Sequence, residues 1–445
     1  MLDPNSRSLY TAALSPPPGF AFGEAIATTF SLDPAFLLEA PVYLAFMAAS
    51  SQGEKDPLMV VNAIRKYVDS ITVYTQRGRV QVPPGEQPSP LYGYLEEMLV
   101  EVTAPAGGVF HPKLWLIRFV DPAGAPTYRL VVLTRNMTTD RSWDLSVRLE
   151  GSPGRSETAR SAPLAHLIRS LPSLAGVPPG SGRAEQARRL ADEVARVEWE
   201  LPEGFEDLHF YLPGTPGYGW KPPTADRLVV MAPFCSDRAL KMLAGQSKSA
   251  VAIVSTAEAL SKLSAGTLKL FGRHLHLDEA AESGDGEDEE PQSATADNHS
   301  PARGLHAKAF VFERRHYIDH THVVTGSANA TNAALAAGKN VEILVELIGK
   351  TRTVGGVDNL LGGDGLGEYL VDYDPQEVAA PDALTEEAEE ALEAARLALC
   401  EAGLALECTG TEQPNTWALT PHVRFYARSE RLYRRHHPFD LHPRI

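Results

Sequence analysis

The sequence predicts an α/β protein of two similar lobes related by a pseudo-twofold axis, and three observations point there. First, one uncommon phrase is written twice: His111-Pro112-Lys113 is followed by Thr134-Arg135-Asn136 and then Asp144, and His306-Ala307-Lys308 by Ser327-Ala328-Asn329 and then Glu342. Second, the spacings agree. His to Asn spans 25 positions in the first copy and 23 in the second, and His to the acid 33 and 36. A lone His-x-Lys is far more often a surface tripeptide, but a five-part pattern repeated in order is hard to reach by accident. Third, short apolar runs alternate with helix-like stretches in both copies, the signature of layered α/β domains.

Taken in order, Ala25 to Phe30 reads as a strand leading into a helix that opens at Ser31 or Asp33, and 71–74 as a second strand. Leu114 to Ile117 and Leu130 to Leu133 flank the first polar set as buried strands. In the second copy, Arg227 to Met231 precedes a helix opening at Ser236 or Asp237; Val251 to Ser255, Ala309 to Phe312 and Val323-Val324 complete the parallel. Each His and Asn therefore falls at a strand edge or end. The segments after the asparagines, 139–142 and 332–337, can each start a short helix. Between the copies, Ser152 to Gly182 is rich in Pro, Gly and Ser and reads as a connector into a helix, Ala184 to Val197.

Length and composition bound the organisation. We expect a first lobe over 1–151, a linker and helix over 152–200, a second lobe over 201–349 and an accessory segment over 350–445. The second lobe carries an insertion, 278–297, with nine acids and no Lys or Arg, expected to be a mobile loop. The accessory segment carries an amphipathic helix over 383–402 and an Arg-rich tail with six arginines after Val423. No run approaches the length of a membrane span, the first residues lack a signal-peptide pattern, and three scattered cysteines suit a reducing compartment, so a cytoplasmic protein without membrane contact is expected.

The net charge of −16 argues against a basic-coated nucleic-acid binder. Nine of those charges lie in the one insertion, and without them the charge is −7. A cleft holding Lys113, Lys308 and Arg135 can be positive on an acidic protein.

The paired residues suit chemistry at one phosphorus. One neutral imidazole attacks while a second, protonated one donates to the leaving oxygen, and histidine titrates where small shifts hold two rings in opposite states. Lys113 and Lys308 would hold the non-bridging oxygens, with Asn136, Asn329, Thr134, Ser327 and Arg135 adding donors. Asp144 and Glu342 would each accept from the far nitrogen of the neighbouring histidine and fix its tautomer. No metal or other cofactor is required, because the lysines supply the electrostatics. Nearby histidines, His274 and His276, read as solvated loop residues and Gly362 to Gly367 as a plain loop.

The doubled His-x-Lys, Asn and acid pattern resembles the phospholipase D superfamily, over about 25–350. The resemblance implies two αβα lobes, a phosphohistidine intermediate, His111 as nucleophile and His306 as general acid. The family's fuller motif has Asp five positions after Lys, where this chain has Arg118 and Glu313. That departure resembles the nuclease branch, and Thr134 to Asp144 looks like bacterial members found with helicases and defence or restriction systems. DNA is then the expected substrate and a separate helicase or ATPase subunit the expected partner, since no Walker motif exists here. A catalytically silent nucleic-acid-binding scaffold and a lipid or small-molecule phosphodiesterase are the alternatives.

Overall fold

The computed structural model describes residues 10–49, 65–83, 87, 89–278, 303–363, 365–374, 391–392, 395–396, 398–400, 402, 404–411 and 417–423. It divides into two compact units, Met1–Ala379 and Ala380–Ile445. The acidic insertion after Asp278 and the Arg-rich tail lie outside the described residues, as does most of the helix expected over 383–402.

The first unit is mixed α/β and holds two sheets of matching design. Its strands are β1 (Ala21–Thr29), β2 (Ile71–Gln76), β3 (Leu99–Val102), β4 (Leu114–Val120), β5 (Pro126–Leu133), β6 (Arg141–Trp143), β7 (Ser146–Pro153), β8 (Val197–Trp199), β9 (Phe205–Tyr211), β10 (Ala225–Met231), β11 (Ser247–Val254), β12 (Phe271–Leu277), β13 (Arg303–Leu305), β14 (Ala309–Arg314), β15 (His320–Gly326), β16 (Leu344–Lys350) and β17 (Leu370–Asp372). One sheet runs β3-β2-β1-β4-β5-β7-β8 and the other β17-β12-β11-β10-β14-β15-β16-β9. In both, three parallel strands meet an antiparallel meander: β1 is parallel to β2 and antiparallel to β4, and β10 is parallel to β11 and antiparallel to β14. The repeat read in the sequence is thus a repeat of topology.

The strands form where apolar and β-branched residues run together. Leu114, Trp115, Leu116 and Ile117 of β4 are all buried, as are Ala309 to Phe312 of β14, because both faces of each central strand are covered. The helix Pro34–Ala49 begins where Asp33 Oδ1 accepts from Ala35 N at 2.8 Å, with Pro34 in the first turn where a missing N–H costs nothing. The helix Asp237–Ala244 starts at the matching place after β10. The linker forms helices Ala162–Ser170 and Ser181–Val194, whose Leu164, Ile168, Leu190 and Val194 pack with Leu114 and Leu130 of one sheet and Val345 and Leu347 of the other in one continuous core. Residues 332–336 form one π-helical turn. Residues 139–142 do not form the expected helix; Arg141–Trp143 instead becomes β6, drawn out by pairing with β13.

That pairing and its counterpart join the lobes. β13 runs parallel to β6 with Leu305 opposite Trp143, and Phe110 forms the equivalent bridge to Val341. Gly108 and Gly214 lie against the chain at Lys339–Asn340, where a Cβ on either would overlap a backbone carbonyl.

The second unit contains an antiparallel pair, β18 (Leu404–Gly410) and β19 (Trp417–Val423). Among the described residues no helix is long and apolar enough to cross a membrane.

Candidate active site

Each histidine is placed by the opposite lobe. His111 N donates to Val341 O at 2.9 Å, and His306 N donates to Trp143 O at 2.7 Å. Val341 and Trp143 each immediately precede a motif acid, so the two crossings deliver Glu342 and Asp144 to the same relative place. The neighbour of Glu342 is accordingly not the histidine of its own copy. His111 Nδ1 lies 2.8 Å from Glu342 Oε2, a hydrogen bond across the two lobes.

Glu342 is 1% exposed and densely held. Ser327 Oγ donates to Oε2, and Asn340 Nδ2 donates to Oε1 at 3.3 Å while Asn340 Oδ1 accepts from Val109 N at 3.2 Å. Burial alone would raise this carboxyl, but His111 and Lys113 hold it below the usual carboxylate range. It is therefore ionised at neutral pH and takes a hydrogen from Nδ1 of a neutral His111, leaving the Nε2 lone pair for chemistry. Burial lowers the His111 pKa, against the upward pull of Glu342, so the ring is neutral over more of the pH range.

The second half-site differs. Asp144, expected to orient a histidine, pairs instead with Arg135 Nε at 3.2 Å; burial raises its pKa against the opposing pull of Arg135. His306 Nδ1 faces Lys308 Nζ at 3.3 Å. An ammonium only donates, so Nδ1 accepts and the neutral ring carries its hydrogen on Nε2. Burial first, then Lys308 and Lys113, pushes His306 down to about 3. One carbon shorter than Glu342, and tied to an arginine that the other half lacks, Asp144 leaves His306 to its lysine.

Lys113 and Lys308 are 0% and 1% exposed. Lys113 Nζ donates to His111 O at 3.0 Å, and Lys308 Nζ to His306 O at 2.9 Å and to Thr134 O at 3.1 Å, again across the lobes. Burial lowers both lysines, Lys113 well below its ordinary value and Lys308 to about 7, while Glu342 opposes the shift in each. Each half-site feels the other's charge: Lys308 depresses His111, and Lys113 and His111 depress His306. The two histidines and two lysines thus form one electrostatic centre.

The remaining sequence candidates divide. Asn136 Oδ1 and Asn329 Oδ1 are buried at equivalent positions and neither accepts a hydrogen bond. An amide can turn its NH2 the same way, so each asparagine offers polar capacity beside its half-site. Thr134 and Ser327, expected to touch substrate, are buried and brace the chain before each acid's strand: Thr134 Oγ1 accepts from Leu145 N at 2.8 Å and Ser327 Oγ from Ile343 N at 3.0 Å. Arg135, also expected to touch substrate, donates to Thr138 O and Asp140 O at 2.7 Å each, closing the turn that follows it. Arg118 and Glu313, where the fuller motif has Asp, belong to the frame: Arg118 Nε pairs with Glu193 at 2.9 Å, and Glu313 with Arg227 at 3.3 Å and Arg315 at 3.0 Å. His274 and His276 bond to backbone carbonyls, and among the described residues no group of His, Cys, Asp or Glu is arranged to hold a metal ion.

Sequence reasoning missed three contributors. Asn340 aligns Glu342, and its signal was a place two residues before the acid. The Phe30 ring lies 5.3 Å from the His111 ring, with the Arg79 guanidinium 4.6 Å over it and Lys113 Nζ at 5.9 Å. Phe30 closes a strand and Arg79 follows another, positions whose meaning needed the sheet order.

No protein-family model matches the sequence, and no curated protein does. Among solved structures, the chain is similar to yeast tyrosyl-DNA phosphodiesterase, with a TM-score of 0.42 at 13% identity over 75% of this chain and 84% of that one. It is also similar to phosphatidylserine synthase of Haemophilus influenzae, with a TM-score of 0.40 at 12% identity over 85% of this chain and 88% of that one.

Proposed function

We propose that the protein is a phosphodiesterase acting on DNA by two displacements at phosphorus through a phosphohistidine on His111. The observation that carries this reading is the pairing of half-buried His111 with buried Glu342, 2.8 Å apart across the lobes and flanked by two buried lysines. A neutral histidine with its tautomer fixed, facing concentrated positive charge, suits attack on an anionic diester.

In the first displacement the His111 Nε2 lone pair forms a bond to phosphorus and the bond to the leaving oxygen breaks. The leaving oxygen takes the hydrogen from His306 Nε2 as His306 Nδ1 takes one from Lys308 Nζ, 3.3 Å away. The ring ends neutral, with its tautomer exchanged, and Lys308 ends as an amine. In the second displacement a water oxygen bonds to phosphorus, the N–P bond returns its electrons to His111, and the water proton passes back through His306 to Lys308. Lys113 and the asparagine amides stabilise the charge gathered on the non-bridging oxygens. Charge on Lys113 and Lys308 concentrates an anionic ligand despite the acidic sequence. The resemblance of the motif phrase extends the proposal to a nuclease of a prokaryotic defence or DNA-processing system, partnered by a separate helicase or ATPase.

The test is cleavage of labelled DNA in EDTA by wild type, His111→Ala and His306→Ala, with protein denatured in alkaline detergent and examined for bound phosphate. We expect cutting by wild type alone and labelled protein only where His111 remains. Cutting by His111→Ala at the wild-type rate would overturn the reading.

A further inference from the structure

The two sheets repeat one topology, but their ends away from the catalytic centre differ in charge. In the second lobe His306, Lys308 and Asn329 lie at the end of the sheet where Ala309 stands between Met231 and Thr325. At the opposite end, the starts of β11 and β12 and the last turn of the helix Asp237–Ala244 enclose a groove of about 630 Å³. Lys241, Lys248 and Lys269 line it together with Ser247 and Ser249, and among the described residues no acid does. All three lysines are exposed, and of the three only Lys248 has an ion-pair partner among the described residues, Asp226 at 2.7 Å.

The groove is continuous with two further basic elements. Asp226 ties the turn between β14 and β15 to its wall: Oδ2 accepts from Arg315 N at 2.7 Å while Oδ1 holds Lys248. That turn presents Arg315 and a tyrosine, Tyr317, that is 95% exposed. In the other direction, the helix Asp237–Ala244 leads back to the catalytic end, where Ser236 N donates to Ala330 O, next to Asn329, at 2.9 Å. Arg238 and Lys241, both exposed and three residues apart, share one face of it. The eight residues of β11, at about 3.3 Å each, set the length of this track at about 25 Å. The first lobe has the same elements without the charge: its helix Pro34–Ala49 contains no Lys or Arg, and its turn between β4 and β5 carries Asp121 and no base. The fold therefore does not require these lysines, and like charges gathered in one concavity repel unless an anion lies among them.

We propose that this track and groove bind the sugar-phosphate backbone of the DNA flanking the scissile phosphate, so that the far end of the second lobe is an exosite about 25 Å from the cut. Ammonium groups and serine hydroxyls only need acceptor oxygens, and a chain of phosphates supplies them repeatedly along a line, as the cations are spread. Tyr317 adds a ring on which a base can stack. This rests on the phosphodiesterase reading above and deepens it by naming where substrate is held beyond the reacting phosphate.

The test uses the full-length protein as wild type, as the double variant Lys241→Gln/Lys269→Gln, and as the charge-preserving control Lys241→Arg/Lys269→Arg. The probes are labelled DNA of about 30 nucleotides, as single strand and as duplex, and a labelled dinucleotide whose one diester leaves nothing for the track. Cleavage is measured on each, and equilibrium binding of the long DNA by fluorescence anisotropy across a salt series. One phosphate contact contributes about 0.7 on a single strand and about 0.9 on a duplex to the slope of log K against log salt, or about 5- to 8-fold in affinity at 0.1 M. The double glutamine variant should therefore bind long DNA about 25- to 60-fold more weakly at 0.1 M salt, with a slope shallower by about 1.4–1.8. The arginine control should match wild type, and all three proteins should cut the dinucleotide alike. Binding of long DNA within about 2-fold of wild type at an unchanged slope, or an equal loss on the dinucleotide, overturns the proposal and leaves the phosphodiesterase reading in place. If wild type cuts neither DNA, that reading fails, and the salt slope still decides the exosite: a shallower slope in the glutamine variant upholds it, and an unchanged one removes it.

Discussion

Replacing Glu342 with Gln tests the catalytic centre at its most constrained point. The carboxylate accepts from His111 Nδ1 at 2.8 Å, from Asn340 Nδ2 at 3.3 Å and from Ser327 Oγ. A glutamine has one oxygen and one NH2 for these places. With its NH2 toward His111, the ring must accept on Nδ1 and carry its hydrogen on Nε2, which removes the nucleophile. With its NH2 toward Asn340, two donors meet, and Asn340 cannot simply turn because its Oδ1 accepts from Val109 N. Loss of a buried charge-assisted hydrogen bond alone is worth about 1.5–3 kcal/mol, or about 10- to 150-fold. A wrong tautomer in the analogous role of a serine-protease triad costs about 10⁴-fold. Single-turnover cleavage by Glu342→Gln should therefore fall at least about 100-fold, with a circular-dichroism melt checking the fold. Removing Glu342 also removes an upward pull on the His111 pKa, so the acidic limb of the kcat/KM profile should move to lower pH. A fall smaller than about 3-fold in a folded variant would refute the assignment of His111 as the nucleophile aimed by Glu342.

Other consequences concern charge and frame. Lys308 is lowered to about 7, so kcat/KM should decline as pH rises through about 7, and Lys308→Met should abolish activity. Because the folded pKa lies below the unfolded value of about 10.4, the unfolded chain binds more protons between those values and stability should rise with pH across that window; Lys308→Met should flatten the rise in a melting-temperature series. For His306, folded at about 3 against about 6.5 unfolded, the same sign makes stability fall as pH drops from about 6.5 toward 3, and His306→Phe should lessen that fall. Arg135→Gln loses two backbone ties and the Asp144 pair, so the melting temperature should drop by several degrees; unchanged stability with lost DNA affinity would return Arg135 to substrate binding. Arg118→Met should lower stability by about 1–3 kcal/mol in a denaturant titration and leave kcat near wild type.

The doubled polar pattern and the apolar runs around it were enough to foresee two α/β lobes, because a buried strand must be apolar on both faces and a strand-end histidine must follow or precede one. Strand pairing between the lobes was not visible. Residues 139–142 carry Asp and Ser, which favour a helix start locally, and become a strand only because β13 supplies a partner more than 160 positions away. The small hydroxyls misled for a related reason: Thr134 and Ser327 sit beside the motif asparagines in sequence, but each lies buried just past a strand end and accepts from the backbone of the residue after an acid.

The exchange of acids between lobes bears on how such a site can be built. If each half-site were closed within its own copy, either lobe could drift without disturbing the other. Here Glu342 of the second lobe aims His111 of the first, Lys308 bonds to Thr134 O, and both histidine amides bond to the opposite lobe. A shift of one lobe against the other would therefore release His111, Lys308 and two strand bridges together. The equivalence is nevertheless broken: Asp144 is one carbon shorter than Glu342, and Arg135 engages it where the second copy has Ala328. These differences give His111 a carboxylate neighbour and His306 a lysine, the asymmetry on which the proposed division into nucleophile and acid rests.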